Sequence, residues 1–354
     1  MVHLHNPLPP FTKRKVVRGC AVHSTGRNRI EQVHSCHILK QLNMDRNLAL
    51  EFVRVTEAAA IEAAKWIGRG DANSADGAAV DAMRSRFNDI YFSGVIVIGE
   101  GSKDEAPELY TGEKVGRGGK PFIDLAVDPL ECTDSVAYGR SNAMCVAASG
   151  PRGSLFSGPD TYMEKIAVGP KARKVIDLNA PVSVNIKKIA AALGKKPGGI
   201  TVIVLDRDRH VDLIAKIRQA GARVRLITDG DVAGALATCI PDSGVDVLMG
   251  IGGSTEAVLS AVAVKILGGQ QFCRFKPKDE HHAALVKKHS YNTKKIYSVE
   301  DLAKGKDLTF TATGVIDGPI LSGVRFTTEA IITHSLVVRG QTETMRYITT
   351  HHAR

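Results

Sequence analysis

Two carboxylates and a hydroxyl stand close together in the stretch Asp128-Pro-Leu-Glu131-Cys-Thr133. The mostly apolar run before it, residues 123–127, predicts a buried strand, so these side chains fall on the turn that leaves the strand. Hard cations such as Mg²⁺ and Mn²⁺ prefer carboxylate and carbonyl oxygens, and proline stiffens the turn that presents them. Glu100 follows a second apolar run, residues 95–98. Three acids at strand ends therefore predict one site for divalent cations.

Two more acids, Asp76 and Glu256, occur near glycine at the predicted ends of elements. A single acid in such a place is usually a helix cap or a loop residue. Carboxylates gathered in one cleft, however, repel each other and raise each other's pKa unless a cation compensates their charge. The shared placement of all five acids favours bound Mg²⁺ or Mn²⁺.

A possible phosphate site is indicated by Arg207 and Arg209, which flank Asp208 on one turn. Guanidinium groups bind phosphate through two parallel hydrogen bonds, although solvated arginines are equally compatible with this pattern. The run Gly250–Gly253 precedes a predicted helix, where free backbone N–H groups favour an anion. A dinucleotide fingerprint is not completed, because Thr255 replaces its third glycine. His210 is interpreted as a capping or packing residue rather than a general base.

The elements that position the first acids are a mixture of helices and strands. Apolar residues at 48, 52, 55, 59, 63 and 66 predict one helix that ends at Gly68 or Gly70. A second helix contains Val80 and Phe87, with Asp76 in its first turn. Strands are predicted at 95–98, 123–127 and 143–148, followed by a loop-rich stretch from 150 to 180.

After residue 181 the pattern alternates regularly between helix and strand. The predicted helices are 182–193, 211–220, 232–240 and 255–267, and the predicted strands are 200–205, 224–227 and 245–249. This alternation predicts a parallel sheet covered by helices, with ligands beyond the carboxyl ends of the strands. The residues at those ends are 206–210, 229–231 and 250–253. Residues from 309 onward predict closing strands.

Length and charge bound the organisation of the chain. The 354 residues predict a mixed α/β protein with two subdomains, residues 43–180 and 181–354. Residues 1–42 contain seven Lys or Arg and only one acid, Glu31, which predicts a disordered basic leader. Because the net charge of +10 is concentrated there, it argues against nucleic acid as the main partner. Organellar import and binding of metal or nucleic acid by the leader are the alternatives.

Composition also bounds the compartment. No apolar stretch approaches the roughly 20 residues that span a bilayer, and no secretory signal opens the chain. The expectation is a cytoplasmic protein without a membrane partner. Six cysteines without C-x-x-C spacing predict reduced thiols.

Several strings resemble those of the class II fructose-1,6-bisphosphatases, including bifunctional enzymes that also act on sedoheptulose 1,7-bisphosphate. The strings are G-R-G-D-A-N-S-A-D-G-A-A-V at 68–80, V-I-G-E-G at 97–101, D-E-A-P at 104–107, D-P-L-E-C-T at 128–133, Y-M-E-K at 162–165, D-G-D-V-A at 229–233, G-I-G-G at 250–253 and A-T-G at 312–314. The resemblance runs in order from Met44 to His351. It implies the sugar-phosphatase fold of the lithium-sensitive phosphatase superfamily, with α-β-α-β-α layers.

The resemblance also implies functional residues. The metal ligands would be Asp76, Glu100, Asp128, Glu131 and Glu256, holding Mn²⁺ or Mg²⁺. The substrate contacts would be Glu131, Cys132, Thr133, Tyr162, Arg207, Asp208, Arg209, Asp229, Gly230, Asp231 and Gly253. Thr133 would pair with Asp76 to orient a water, and Asp104 is a second candidate for that task. The implied reaction is metal-dependent hydrolysis of the 1-phosphate of fructose 1,6-bisphosphate, as in gluconeogenesis, by a homodimer or homotetramer.

One departure from the family pattern leaves alternatives open. Cys132 stands where the family has glycine, and a side chain there would strain a backbone that needs positive φ or crowd the site. A catalytically weakened relative that binds sugar phosphates is therefore one alternative, and redox control through this thiol is another. An inositol-phosphate or nucleotide-bisphosphate phosphatase is the remaining enzyme alternative.

Overall fold

Two β-sheets organise the protein, whose structure, a computed structural model, describes residues 48–99 and 109–354. The first sheet contains β1 (Ser93–Ile98), β2 (Lys114–Val115), β3 (Phe122–Glu131), β4 (Met144–Pro151), β11 (Thr309–Gly314), β12 (Arg325–Phe326), β13 (Ala330–Arg339) and β14 (Thr344–Ala353). Its order is β12-β13-β11-β4-β3-β1-β2, and β14 pairs with β13. The strands predicted after residue 309 thus return to the sheet that carries Asp128 and Glu131.

The second sheet is mixed, whereas the sequence predicted a parallel one. It contains β5 (Tyr162–Val168), β6 (Thr201–Leu205), β7 (Arg223–Ile227), β8 (Val247–Gly253), β9 (Gln270–Phe275) and β10 (Tyr297–Ser298), in the order β10-β9-β5-β8-β6-β7. Only β6 with β7 and β6 with β8 pair in parallel. Strand β5 lies antiparallel to both β8 and β9.

The prediction of a loop-rich stretch from 150 to 180 is wrong at β5. Glu164 and Lys165 interrupt the apolar pattern of this strand, which hides it from a search for apolar runs. Both charges have tertiary partners, since Glu164 bonds Arg274 at 2.5 Å and Lys165 bonds Asp231 at 2.7 Å. The strand is therefore specified by contacts that are distant in the sequence.

The helices are α1 (residues 48–64), α2 (Ala72–Asn88), α3 (Thr133–Ala137), α4 (Val182–Ala192), α5 (Val211–Gln219), α6 (Asp231–Ala237), α7 (Ser254–Ile266), α8 (Glu280–Lys288) and α9 (Val299–Leu302). Helix α1 ends before the predicted Gly68 and continues as turns. Helix α2 begins early because the Asp71 side chain accepts a hydrogen bond from the Ser74 N–H and caps it. Asp76 consequently lies in the second turn, and the prediction of the first turn is wrong.

Side chains that alternate along the strands separate the molecule into layers. Leu125 and Val127 of β3 pack with α1 and α2, while Ala126 between them packs with α6 and α7. On the second sheet, Ile203 faces α6 and α7, whereas its neighbour Val204 packs with α4 and α5. The order α-β-α-β-α follows, so the layered α/β fold that was predicted is confirmed.

Helix α7 lies at the centre of these layers and is buried nearly all round. Its residues from Ala257 to Val264 are all buried, as expected for a helix with apolar side chains on every face. Burying one Val or Leu side chain contributes about 1.5–3 kcal/mol, so several turns of such contacts hold the helix firmly. The first turn of α7, which carries Glu256, is thereby fixed between the two sheets.

Residues 47–354 form one compact unit. The predicted leader, residues 1–42, lies outside the described residues. The division at residue 180 stays a prediction. Strand β5, which precedes residue 180, joins the second sheet, and β11–β14, which follow it, join the first. Across 48–99 and 109–354, no helix combines the length and the apolar character needed to cross a membrane. Cys132, Cys145, Cys239 and Cys273 are free thiols.

Candidate active site

A cavity of about 360 Å³ opens between the two sheets, at the ends of several strands. It brings together predicted residues that lie far apart in the sequence: Asp128, Glu131, Cys132, Thr133, Tyr162, Arg207, Arg209, Asp229, Gly230, Asp231, Gly253 and Glu256. Asp208, also predicted, is exposed and lies outside the lining. Glu100 and Asp104 lie outside the described residues. Asp128 and Glu131 at the end of β3, together with Glu256, form the acidic wall of the cavity. Arg207 and Arg209 in the turn after β6 form its basic wall.

The acidic wall owes its shape to an irregularity at the end of β3. Asp128 and Glu131 are three positions apart along β3, but their partners on β4, Val146 and Met144, are only two positions apart. This bulge at Pro129 turns both carboxylates to the same side, whereas a regular strand would place them on opposite faces. Both acids are nearly fully buried. The Leu130 N–H donates to Asp128 Oδ1 at 3.1 Å.

Burial and mutual repulsion raise the pKa values of the acids in this wall. Burial raises the pKa of Asp128 well above its usual value, and Glu131, Glu256 and Asp76 raise it further. Burial also raises the pKa of Glu256 to about 7, although Lys165 opposes the shift. The four acids therefore share one electrostatic environment, which brings Asp76 of α2 into the group.

The side chains of the acidic wall offer the kind of donors that a divalent cation requires. Within residues 48–99 and 109–354, no three His, Cys, Asp or Glu side chains already converge closely enough to hold one ion. Among the described residues that line the cavity, Glu131 Oε2 and Asp231 Oδ1 are nevertheless buried carboxylate oxygens without a hydrogen-bond partner. Buried acceptors of this kind are costly unless a charge compensates them. The oxygen-only chemistry of the acidic wall thus fits hard cations.

The same cluster predicts an unusual pH dependence of stability in chelator. A carboxyl group whose pKa is raised in the folded state binds more protons there than in the unfolded chain. For Glu256, stability is therefore present below about pH 4.5 and is lost as the pH rises through about 7. Thermal unfolding in EDTA should show a melting temperature that falls over this range. With saturating Mn²⁺ the fall should be reduced, and an unchanged slope would contradict a cation site here.

The basic wall contains the two arginines that follow β6. The Arg209 guanidinium lies 4.8 Å above the ring centre of Tyr162 and donates through Nη2 to the Ile251 carbonyl at 2.9 Å. Arg207 approaches Asp229 with a closest separation of 3.9 Å, and its side chain keeps 40% of its surface exposed. Arg209 is thus oriented by several contacts, while Arg207 retains the freedom to turn toward a ligand.

Glycines allow the remaining walls to approach the acids closely. A Cβ atom on Gly252 would lie 2.0 Å from Asp231 Oδ2, and one on Gly253 would lie 2.0 Å from Glu256 Oε2. These glycines belong to β8, although the sequence predicted that the strand ends at 249. The strand therefore runs directly into the site, with its side-chain-free end against two carboxylates.

Cys132 occupies the left-handed backbone conformation that the sequence analysis anticipated, with φ of 72°. A Cβ on the facing Gly230 would lie 2.8 Å from Cys132 Sγ and 2.4 Å from Asn142 Nδ2. The thiol thus fills space beneath the 229–231 turn. Burial, followed by Glu131 and Asp229, raises the pKa of Cys132 well above its ordinary value. This environment disfavours the thiolate that redox control would use.

Thr133 is the first residue of α3, and its hydroxyl donates to the Leu130 carbonyl at 3.0 Å. Its pairing with Asp76 stays a prediction. Sequence reasoning gave no role to Lys165, which is buried and bonded to Asp231 at 2.7 Å. The available signal was a lysine inside a strand between Met163 and Ile166, since an unpaired lysine is seldom buried.

Comparisons with known proteins relate most of the chain to one family. The model of the family described as bacterial fructose-1,6-bisphosphatase, glpX-encoded, matches residues 46–352. The Fructose-1,6-bisphosphatase 1 class 2 of Escherichia coli strain K12 is 44% identical over 322 residues, which cover 87% of this chain and 96% of that protein. Proteins named Fructose-1,6-bisphosphatase class 2 from Escherichia coli O6:H1 and Shigella flexneri have the same identity and coverage.

Proposed function

Because the chain belongs to the glpX-encoded bacterial fructose-1,6-bisphosphatase family, we propose that it hydrolyses the 1-phosphate of fructose 1,6-bisphosphate to fructose 6-phosphate and phosphate, a step of gluconeogenesis. One structural observation supports the proposal independently of the family assignment. A single cavity joins buried carboxylates to Arg207 and Arg209, so cations and a phosphorylated sugar could be held side by side. Sedoheptulose 1,7-bisphosphate is a further candidate substrate.

The family is metal-dependent, and we assign Mg²⁺ or Mn²⁺ because the acidic wall offers oxygen donors only. Asp76, Asp128, Glu131 and Glu256 would hold the ions, together with Glu100 from outside the described residues. When bound, such ions lower the pKa of water and offset the charge of a phosphate. The unpartnered Glu131 Oε2 supports this assignment.

Residues of this chain would hold the water, accept its proton and face the phosphate. The Thr133 hydroxyl would hold the attacking water and relay its proton to the Asp76 carboxylate, and Asp104 is the second candidate for that task. Direct attack by water needs no covalent nucleophile. Glu131, Cys132 and the start of α3 would face the reacting phosphate.

Substrate binding is assigned to the opposite wall. Arg207 and Arg209 would bind the second phosphate, with Tyr162 supporting the Arg209 guanidinium from below. The 229–231 turn would accept hydrogen bonds from sugar hydroxyls, and Gly253 would let the sugar approach the backbone. Asp208, exposed in the structure, is the predicted contact with the least support.

The direct test is phosphate release from a panel of substrates with and without Mn²⁺ or Mg²⁺. The panel contains fructose 1,6-bisphosphate, sedoheptulose 1,7-bisphosphate, fructose 6-phosphate, an inositol monophosphate and a nucleoside 3′,5′-bisphosphate. We expect the highest kcat/KM for a sugar bisphosphate and no turnover in EDTA. Preference for the inositol or nucleotide substrate would replace the proposal with the other enzyme alternative.

Cys132 favours a second candidate function, a weakened relative that binds the sugar phosphate but turns it over slowly. A non-glycine residue in the left-handed region costs about 1–2 kcal/mol, and the thiol narrows the space under Gly230. Cys132→Gly is therefore expected to raise stability by up to about 1 kcal/mol and to increase kcat. Urea unfolding and steady-state kinetics measure both. Equal kcat in the two proteins would exclude the weakened relative.

A matched control for that experiment is Cys239→Ala, which removes another largely buried thiol remote from the cavity lining. Its kcat should equal that of the wild type. The oligomeric state, the cytoplasmic location and the fate of residues 1–42 stay predictions beside the proposed activity.

A further inference from the structure

The imidazole of His210 joins the end of β6 to the middle of β8 through both of its ring nitrogens. Nδ1 lies 2.8 Å from the carbonyl oxygen of Leu205, the last residue of β6. Nε2 lies 2.7 Å from the backbone nitrogen of Ile251 in β8. The ring itself is buried, with 1% of its surface exposed. The sequence predicts a capping or packing side chain at this position, but His210 makes no capping bond to α5.

These two bonds determine the protonation state of the ring. A backbone N–H can only donate, so Nε2 must accept from Ile251 and carry no proton. A carbonyl oxygen can only accept, so Nδ1 must carry the proton and donate to Leu205. Only the neutral imidazole protonated on Nδ1 satisfies both partners. A second proton would place two N–H groups against each other in a buried contact.

Both polar backbone groups of Ile251 are therefore bound by side chains of the turn that follows β6. His210 accepts its N–H, and its carbonyl accepts from Arg209 Nε at 3.1 Å and from Nη2 at 2.9 Å. Gly250 permits this close approach, because a Cβ atom there would lie 3.2 Å from two atoms of the His210 ring. Two residues beyond Ile251, the same strand presents Gly253 to the cavity, and the helix that follows, α7, presents Glu256.

We propose that His210 is a positioning residue whose neutral ring aligns Arg209 and the glycine end of β8 with each other, and so sets the affinity of the site for its sugar phosphate. The inference rests on the proposed function, in which Arg209 binds phosphate. His210 itself does not line the active-site cavity. It acts on substrate only through Ile251 and Arg209.

Some of the charged groups around the ring lower the pKa of His210, and others raise it. Burial lowers the pKa of His210, Arg209 and Arg207 lower it as well, and Asp231 on α6 opposes them together with the Leu205 carbonyl. Behind the ring lies a second cavity of about 280 Å³, which His210 lines. Apart from Arg209, that lining contains four charged residues, two acids and two lysines: Glu164, Asp212, Lys165 and Lys216.

A pair of amide variants separates the two ring contacts. His210→Gln can present an oxygen close to the place of Nε2 and so keep an acceptor for Ile251. His210→Asn can keep a donor for Leu205 but leaves the Ile251 N–H without its acceptor. We expect His210→Gln to keep KM for fructose 1,6-bisphosphate within about threefold of wild type at pH 8, and His210→Asn to raise it about tenfold, with a smaller change in kcat.

The pH dependence of KM distinguishes positioning from a purely structural role. The substrate phosphates and the site carboxylates titrate in every variant, so the informative quantity is the ratio of wild-type KM to that of His210→Gln. This ratio should stay constant near neutral pH and rise only well below pH 6.5, because burial lowers the pKa of His210 and only the wild-type ring gains a proton. A ratio that stays constant down to the lowest pH at which both proteins remain folded would overturn the inference. His289→Gln, at an exposed histidine, is the control that should follow wild type.

Nitrogen NMR of the wild-type imidazoles tests the same inference without any variant. At pH 8 the His210 signals should show a proton on Nδ1 and none on Nε2, and a proton found on Nε2 would refute it. The two hypotheses fail differently. Wild type that releases no phosphate from any sugar bisphosphate rejects the proposed function, whereas active wild type with a constant KM ratio rejects only the role of His210.

Discussion

Asp128→Asn is expected to lower kcat/KM for fructose 1,6-bisphosphate by about a thousandfold or more and, at the same time, to stabilise the metal-free protein. The activity falls because one negative oxygen ligand is lost from the acidic wall, where electrostatic stabilisation must supply most of the acceleration. Phosphate-monoester hydrolysis is among the slowest uncatalysed reactions, so little rate should remain.

The gain in stability follows from the same arrangement of charges. Asp128 is buried beside Glu131 and Glu256, and both carboxylates raise its pKa. An uncharged amide removes this repulsion and keeps the oxygen that accepts from the Leu130 N–H. The melting temperature in EDTA should therefore be higher for Asp128→Asn than for wild type, and the difference should grow from pH 5 to pH 8.

Phosphate release and thermal unfolding, each with and without Mn²⁺, measure the two effects. Asp307→Asn changes the same chemical group at an exposed position and should alter neither quantity. Loss of activity together with a lower melting temperature in EDTA would mean that Asp128 stabilises the fold by itself. The acidic wall would then not be a repulsive cluster that relies on cations.

The layer order was implied by the family resemblance, whereas the local sequence patterns predicted only individual helices and strands. Buried surface is indicated by the three-and-four spacing of α1, by the mostly apolar run of β3 and by the mostly apolar residues 257–264 of α7. Strand β5 could not be found in this way, since the partners of Glu164 and Lys165 lie 110 and 66 residues further along the chain. Its antiparallel insertion is what makes the second sheet mixed.

The site was accessible from sequence only in part, and for a related reason. The acids and arginines could be found because carboxylates and guanidinium groups at strand ends are unusual enough to indicate ligands. The supporting residues could not, because nothing local distinguishes His210 from any other histidine. Its role depends on the backbone of Ile251, and that of Lys165 depends on Asp231. Only the folded arrangement brings these pairs into contact.

Lys165→Met is expected to destabilise the protein by about 3–5 kcal/mol, the largest single effect on stability that the structure predicts. The ammonium bonds Asp231 at 2.7 Å, and the side chains of the pair keep only 2% and 7% of their surface exposed. Removing the lysine leaves a buried carboxylate without its partner. It also removes the charge that holds down the pKa of Glu256, so the acidic wall becomes harder to ionise.

A double variant and an exposed pair make this prediction specific. Lys165→Met combined with Asp231→Leu removes both charges and should recover most of the stability, because a buried ion pair is often no better than well-packed apolar side chains. Lys65→Met at the exposed pair with Glu62 should cost less than about 1 kcal/mol. Urea unfolding in EDTA keeps cations out of the comparison. If the double variant were as unstable as Lys165→Met, the cost would come from lost packing around β5, and the lysine would not be compensating the charge of Asp231.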